Sequence, residues 1–196
     1  MLTITGGKYV RRKIESPRGN TVRPTPSMVR GAVFDVAAHL MGEPFAAFLD
    51  CFAGSGIMGI EALSRGAESV VFVENFRSAC QVIEKNLDSV MEAPQAVLLK
   101  KDARKALPFL AKEGMEFDGI YMDPPYREVA MRDEMIERIA ALHLLRAGGV
   151  LMVEYQTRFA SPPQVVPGLS LLSSRKWGET MVNFYGNEDS GVPGIL

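Results

Sequence analysis

Four carboxylates close four apolar runs in this chain, and two prolines follow the last of them. Asp50 ends "AAFLD", Glu74 ends "SVVFVE", Asp102 follows "AVLLKK", and Asp123 follows "FDGIYM" and opens "DPPY". If the runs are parallel strands, their carboxyl ends share one rim, where open α/β sheets bind ligands. A rim of acids suits a ligand that is rich in hydrogen-bond donors or carries positive charge. Pro124 and Pro125 have no N–H to give a sheet, so they end the strand and leave carbonyl oxygens without competing amide donors.

The first acid is joined to a glycine loop. "DCFAGSGIMG" places Gly54, Gly56 and Gly59 in a G-x-G-x-x-G pattern between a strand and a helix. Such a loop lets the backbone approach a ligand closely and the helix pack tightly on the strand. A dinucleotide is one reading, with Glu74 on the ribose hydroxyls. Asp50 argues against it, because a negative charge is unwelcome beside a pyrophosphate. Cys51, Phe52 and Ala53 also lengthen the loop ahead of the first glycine. A nucleoside carrying a cationic ammonium or sulfonium, such as S-adenosylmethionine (AdoMet), fits the acids better. Asp102 can accept from an adenine amino group, and an aspartate there is also a common helix cap; the two roles are compatible.

The "DPPY" stretch suggests what such a donor would serve. The exocyclic amine of a nucleobase is a weak nucleophile, because its lone pair is delocalised into the ring. Hydrogen bonds from its two N–H groups to the Asp123 carboxylate and the Pro124 carbonyl would favour a pyramidal nitrogen aimed at a methyl donor. That is positioning and electrostatic work. Tyr126 can stack on a base drawn out of its helix. The plainer alternative is a strand-ending turn with a packed tyrosine.

The elements needed to position these groups can be read along the chain. Two short strands around "TGGKY" in residues 2–14 read as a hairpin, and "SPRGNTVRPTP" as an extended connector. Ser27 is placed to cap a helix from Met28 to Met41. Apolar strands then alternate with amphipathic helices up to "GGVLMVEY", the pattern of a parallel sheet covered on both faces. "LSLLSS" and "ETMVNFY" around "RKWG" read as an antiparallel hairpin. His39 and His143 fall on expected helices. The expected division is a basic arm and connector over residues 1–26, one α/β domain over 27–186 and a tail over 187–196.

Net charge is −1, yet residues 1–31 carry seven basic side chains against one acid, and the remainder is therefore −7. That arm fits a polyanionic partner, or simply a charged edge that resists strand pairing. Lys8, Arg11, Arg12, Lys13, Arg23, Thr25, Arg30, Arg127 and Lys176 are the candidate contacts with such a partner. The two cysteines, Cys51 and Cys80, have neither metal-site spacing nor a disulfide framework. No metal is expected, and with no signal-peptide pattern at the start the expected location is the cytoplasm.

At this point the chain resembles a known family. "YMDPPY" is similar to the D/N-P-P-Y/F/W signature of methyltransferases that act on planar amines. With "VRPTPSMVRGAVFD" and "DCFAGSGIMGIEALSRGA", the whole chain resembles the bacterial small-subunit ribosomal RNA guanine-N2 methyltransferases of the RsmD type, which act on guanine 966. The resemblance implies an α/β, Rossmann-like, doubly wound and mostly parallel sheet of seven strands. A C-terminal antiparallel hairpin and an N-terminal β-hairpin extension would flank it. It implies AdoMet as cofactor, ribosomal RNA in an assembling subunit as partner, and guanine N2 as target. By position, Asp50, Cys51, Phe52, Ala53, Gly54, Ser55, Gly56, Glu74, Asn75, Asp102, Ala103 and Asp123 would line the cofactor pocket. Asp123, Pro124, Pro125 and Tyr126 would hold the amine. The same motif also serves adenine-N6 and glutamine-N5 methylation, and a binding module without turnover would keep the pocket too. No catalytic Tyr-x-x-x-Lys pair and no well-placed histidine supports an NAD oxidoreductase.

Overall fold

The computed structural model describes residues 1–17, 26–42, 44–90, 96–125 and 127–187. Arg23, Thr25 and Tyr126, and all of the expected tail after Asn187, lie outside the described residues. Five parallel strands form the centre: β3 (Ala47–Cys51), β4 (Ser69–Glu74), β5 (Ala96–Lys100), β6 (Phe117–Met122) and β7 (Leu145–Gln156). An antiparallel extension follows, made of β8 (Val165–Val166), β9 (Leu169–Trp177) and β10 (Thr180–Asn187). The spatial order is β5-β4-β3-β6-β7-β10-β9-β8, so the chain reverses its progress across the sheet between β3 and β6. Seven of these strands are the expected set, and the two-residue β8 adds a short eighth at the edge.

Both faces of the sheet are covered, which is why its strands are almost continuously apolar. On one face, Phe48, Phe72, Tyr121, Met152 and Phe184 pack under α1 (Ser27–Met41) and α2 (Ile57–Ser64). Ile83 and Val90 of α3 (Arg77–Val90) join the same cluster. On the other face, Leu49, Val71, Ile120, Leu151 and Val153 meet α4 (Ala103–Lys112) and α5 (Val129–Ala141). Burying a side chain of this size is worth roughly 1.5–3 kcal/mol.

The N-terminal hairpin pairs β1 (Leu2–Thr3) with β2 (Lys13–Ile14) and buries Ile4, Tyr9 and Ile14 in the first cluster. It is bolted to the last turn of α2. The Lys8 N–H donates to the Ser64 carbonyl at 2.7 Å, and the Tyr9 N–H to Ser64 Oγ at 2.9 Å. Gly7 must be glycine here: its φ is +77°, and a Cβ would stand 1.7 Å from the Ser64 oxygen.

Several boundaries differ from the sequence reading. Ser27 is the first residue of α1 and not its cap; Pro26 holds the cap position, and among the described residues no side chain caps the helix. α5 stops at Ala141, and His143 follows it in a turn with φ +52°, because Leu144 and Leu145 are buried in the sheet core. β7 therefore starts at Leu145, well ahead of "GGVLMVEY". Asn187, expected in the tail, is the last residue of β10 and donates to the Leu145 carbonyl at 3.1 Å. Among the described residues, no helix is long and apolar enough to cross a membrane.

Candidate active site

The register of the sheet assembles the acids. Asp50 pairs with Phe72 on one side and Tyr121 on the other, so Glu74 and Asp123 stand two residues further along the neighbouring strands. On β7, Met152 pairs with Tyr121 and Val153 with Met122, which sets Glu154 beside Asp123. All share the face that carries α1 and α2, since side chains two residues apart project to the same side.

The glycine loop bends through alternating left-handed residues: Phe52 (φ +64°), Gly54 (φ +56°) and Gly56 (φ +75°). For Phe52 this conformation is strained, of order 1–2 kcal/mol. Two acids hold the bend. Glu74 Oε2 accepts from the Gly54 N–H at 2.8 Å, while Oε1 accepts from Asn75 and Phe76 at 2.8 and 2.9 Å. Asp50 Oδ2 accepts from the Gly59 N–H at 2.8 Å, tying β3 to the first turn of α2. Gly59 itself leaves no room, since a Cβ there would meet the Phe72 ring at 2.2 Å. Burial pushes the Asp50 carboxyl up to about 8, with the Gly59 N–H opposing and the nearby Glu74 charge adding to the rise.

A hollow of about 210 Å³ opens beside this loop. Its wall holds Phe52, Glu74, Asn75, Asp102 and Ala103 from the sequence reading, together with Pro125. It also holds Phe76, Lys101, Arg104, Glu128 and Met131, which sequence reasoning missed. Phe76 gave a legible signal, a large aromatic just after the acid that ends β4, and it is 66% exposed. Asp102 caps α4, accepting from the Arg104 N–H at 2.9 Å, so its cap role is realised on the same wall. Asp50, Cys51, Ala53, Gly54, Ser55, Gly56 and Asp123, also expected in the pocket, do not line this hollow. Cys51 has its side chain in the core under α4 and α5, and burial pushes its thiol up.

Asp123 is the unusual group. Its Oδ1 is buried and has no hydrogen-bond partner among the described residues. A lone buried carboxylate oxygen is costly, and one left in place asks for a donor that the protein does not supply. Burial first, then the charges of Glu154 and Asp50, raise its carboxyl well above the ordinary range. Glu154, only 1% exposed, accepts a hydrogen bond from the Tyr121 hydroxyl. Pro124 is buried and Pro125 exposed, and the Pro125 carbonyl accepts from the Glu128 N–H at 2.8 Å, which turns the chain into α5.

The chain matches the family described as "Conserved hypothetical protein 95" over residues 2–186. It is 31% identical to ribosomal RNA small subunit methyltransferase D of Escherichia coli K12 over 190 residues, covering 97% of this chain and 92% of that one. This chain belongs to the RsmD-type methyltransferase family. The Haemophilus influenzae protein of the same name is 27% identical over 188 residues, 94% of this chain and 93% of that one. A solved hypothetical protein of Thermus thermophilus superposes with a TM-score of 0.78 at 27% identity, covering 94% of this chain and 98% of its own. The Rossmann-like fold follows from both the sheet and these neighbours.

The basic candidates divide. Lys8, Arg11, Arg12 and Lys13 are exposed on the hairpin, and Arg127 and Lys176 are exposed elsewhere. Lys176 lies near the turn between β9 and β10, beside the carboxyl end of β7, because Thr180 pairs with both Trp177 and Gln156. Arg30 is a correction. It is 1% exposed and its guanidinium donates to the Thr3 carbonyl at 2.5 Å, so it ties α1 to the hairpin and is not a surface phosphate contact.

Proposed function

We propose that this chain transfers a methyl group from AdoMet to the exocyclic N2 amine of a guanine in small-subunit ribosomal RNA. The observation that carries the reading is the buried, unpartnered Asp123 Oδ1 at the end of β6, one strand from the glycine loop. The donor set fits AdoMet: Glu74 and Asp102 supply acceptors for hydroxyl and amino donors, and Phe76 offers an exposed ring against which a purine can lie. The relatives named as ribosomal RNA small subunit methyltransferases support the substrate class.

When bound, AdoMet supplies an electrophilic methyl group on a positively charged sulfur. The protein's own share is positioning. Asp123 accepts one N–H of the target amine and the Pro124 carbonyl the other, which localises the nitrogen lone pair outside the plane of the base. A bound sulfonium would favour the ionised form of Asp123, which burial and Glu154 disfavour in its absence; the carboxylate would then face the amine as it becomes cationic and accept the proton the product must lose. The exposed hairpin cations hold RNA phosphates, and their contribution falls as salt rises.

Labelled AdoMet incubated with undermethylated small ribosomal subunits tests this. Label is expected in N2-methylguanine of the RNA; label confined to DNA adenine or to a protein glutamine would overturn the reading.

A further inference from the structure

The hairpin and the glycine loop meet at one side chain. Asn86 of α3 is 1% exposed. Its Oδ1 accepts from the Glu15 N–H at 2.7 Å, and its Nδ2 donates to the Glu15 carbonyl at 3.0 Å and to the Ser55 carbonyl at 2.9 Å. Glu15 directly follows β2, and Ser55 sits between Gly54 and Gly56 of the loop. Both amide hydrogens and the amide oxygen are thus in use. Aspartate lacks the donors and serine lacks the reach to make the same three bonds.

We infer that Asn86 is a positioning residue that couples the basic arm to the glycine loop, so that RNA held by the arm tightens cofactor binding. The inference rests on the proposed RNA role of that arm. The loop's shape sets the cofactor wall through the Gly54–Glu74 bond, and Ser55 is the next residue. Fixing the arm therefore removes freedom from the loop through a chain of short hydrogen bonds, of which the Asn86–Ser55 bond is buried and the others half-buried. A ligand shifts such an equilibrium only by its preference for one state, and that preference acts reciprocally on the second ligand. The arm's other attachments are separate from this link: Thr5 donates through its N–H to Glu61 Oε2 at 2.9 Å, Tyr9 and Gly6 hold Ser64, and Arg12 reaches the Val90 carbonyl at 3.3 Å. Loss of Asn86 leaves the hairpin docked on α2 while cutting it from the loop.

The test measures the dissociation constant of S-adenosylhomocysteine, which cannot turn over, by calorimetry with and without saturating small-subunit RNA. It compares the wild-type chain with Asn86→Ala and Glu15→Pro. The proline removes the N–H that reaches Asn86, follows a strand residue that tolerates it, and covers the case in which Asn86→Ala fails to fold. Wild type is expected to bind the nucleoside about fivefold or more tightly with RNA present. Both variants should bring that ratio near one with RNA affinity retained. A lowered melting temperature with the ratio intact would make Asn86 merely structural and overturn the inference. A wild-type ratio near one with tight RNA binding would overturn it alone, whereas failure to bind RNA at all would also remove the RNA reading of the arm.

Discussion

The Gly54 N–H lies 2.8 Å from Oε2 of Glu74, so the acid that ends one strand fastens the loop that follows its neighbour. The same carboxylate takes two more N–H groups, from Asn75 and Phe76, with its other oxygen. Glu74 therefore shapes the cofactor wall before any ligand arrives.

Glu74→Gln should weaken both functions. The amide can still accept some of these bonds, but without charge, and hydrogen bonds to a charged group are worth about 1.5–3 kcal/mol each against about 1 for neutral ones. Calorimetry should show AdoMet affinity falling by roughly tenfold or more, on the scale of 1.4 kcal/mol. Unchanged affinity would remove Glu74 from the pocket.

Asp50 predicts a dependence of stability on pH. Its carboxyl titrates near 8 in the folded chain against 3.8 in its ordinary state. Between those values the folded chain keeps a proton that the unfolded chain has released, so stability falls as pH rises through that window. Asn at position 50 can still accept from the Gly59 N–H but carries no charge. Denaturation of wild type and Asp50→Asn from about pH 4 to pH 8 should therefore show wild type losing ground steadily, with the gap level above pH 8. Parallel curves would refute the shifted carboxyl.

Gly59→Ala tests the packing behind the loop. The new methyl would lie 2.2 Å from the Phe72 ring and 2.8 Å from Val70, both in the core. Overpacking of this kind costs about 1–3 kcal/mol. For a chain of this size each kcal/mol lowers Tm by about 2–4 °C, which a thermal melt resolves.

Asp123 should trade stability for chemistry. Burial and the neighbouring charges of Glu154 and Asp50 disfavour its ionised form, so Asp123→Asn removes a strained charge from the folded chain. The variant should melt higher than wild type, with the gain growing as pH rises above the ordinary aspartate range. A variant that melts lower at every pH would show that the carboxylate is satisfied in the fold.

The rim is legible in the sequence because parallel strands bury both faces: an acid at the end of an apolar run marks where the sheet stops and solvent or ligand begins. Asp50, Glu74, Asp102 and Asp123 stand out that way. Asn86, Glu61 and Arg30 do not, since a polar residue within a helix reveals its burial only through a partner distant in sequence. Glu61 is fully buried because Thr5 reaches it from the hairpin, and Asn86 because Glu15 and Ser55 do. The start of β7 is hidden for a related reason. "HLLRAGG" continues the apolar spacing of α5, and only the backbone reversal at His143 separates helix from strand.

The most direct measurement is the single-turnover rate of Asp123→Asn at saturating AdoMet and RNA, with AdoMet affinity determined alongside. Loss of a positioning acceptor should slow methyl transfer by about a hundredfold or more while cofactor affinity stays within a few-fold of wild type. An undiminished rate, or a loss explained wholly by failure to bind AdoMet, would contradict the assignment of Asp123 to the target amine.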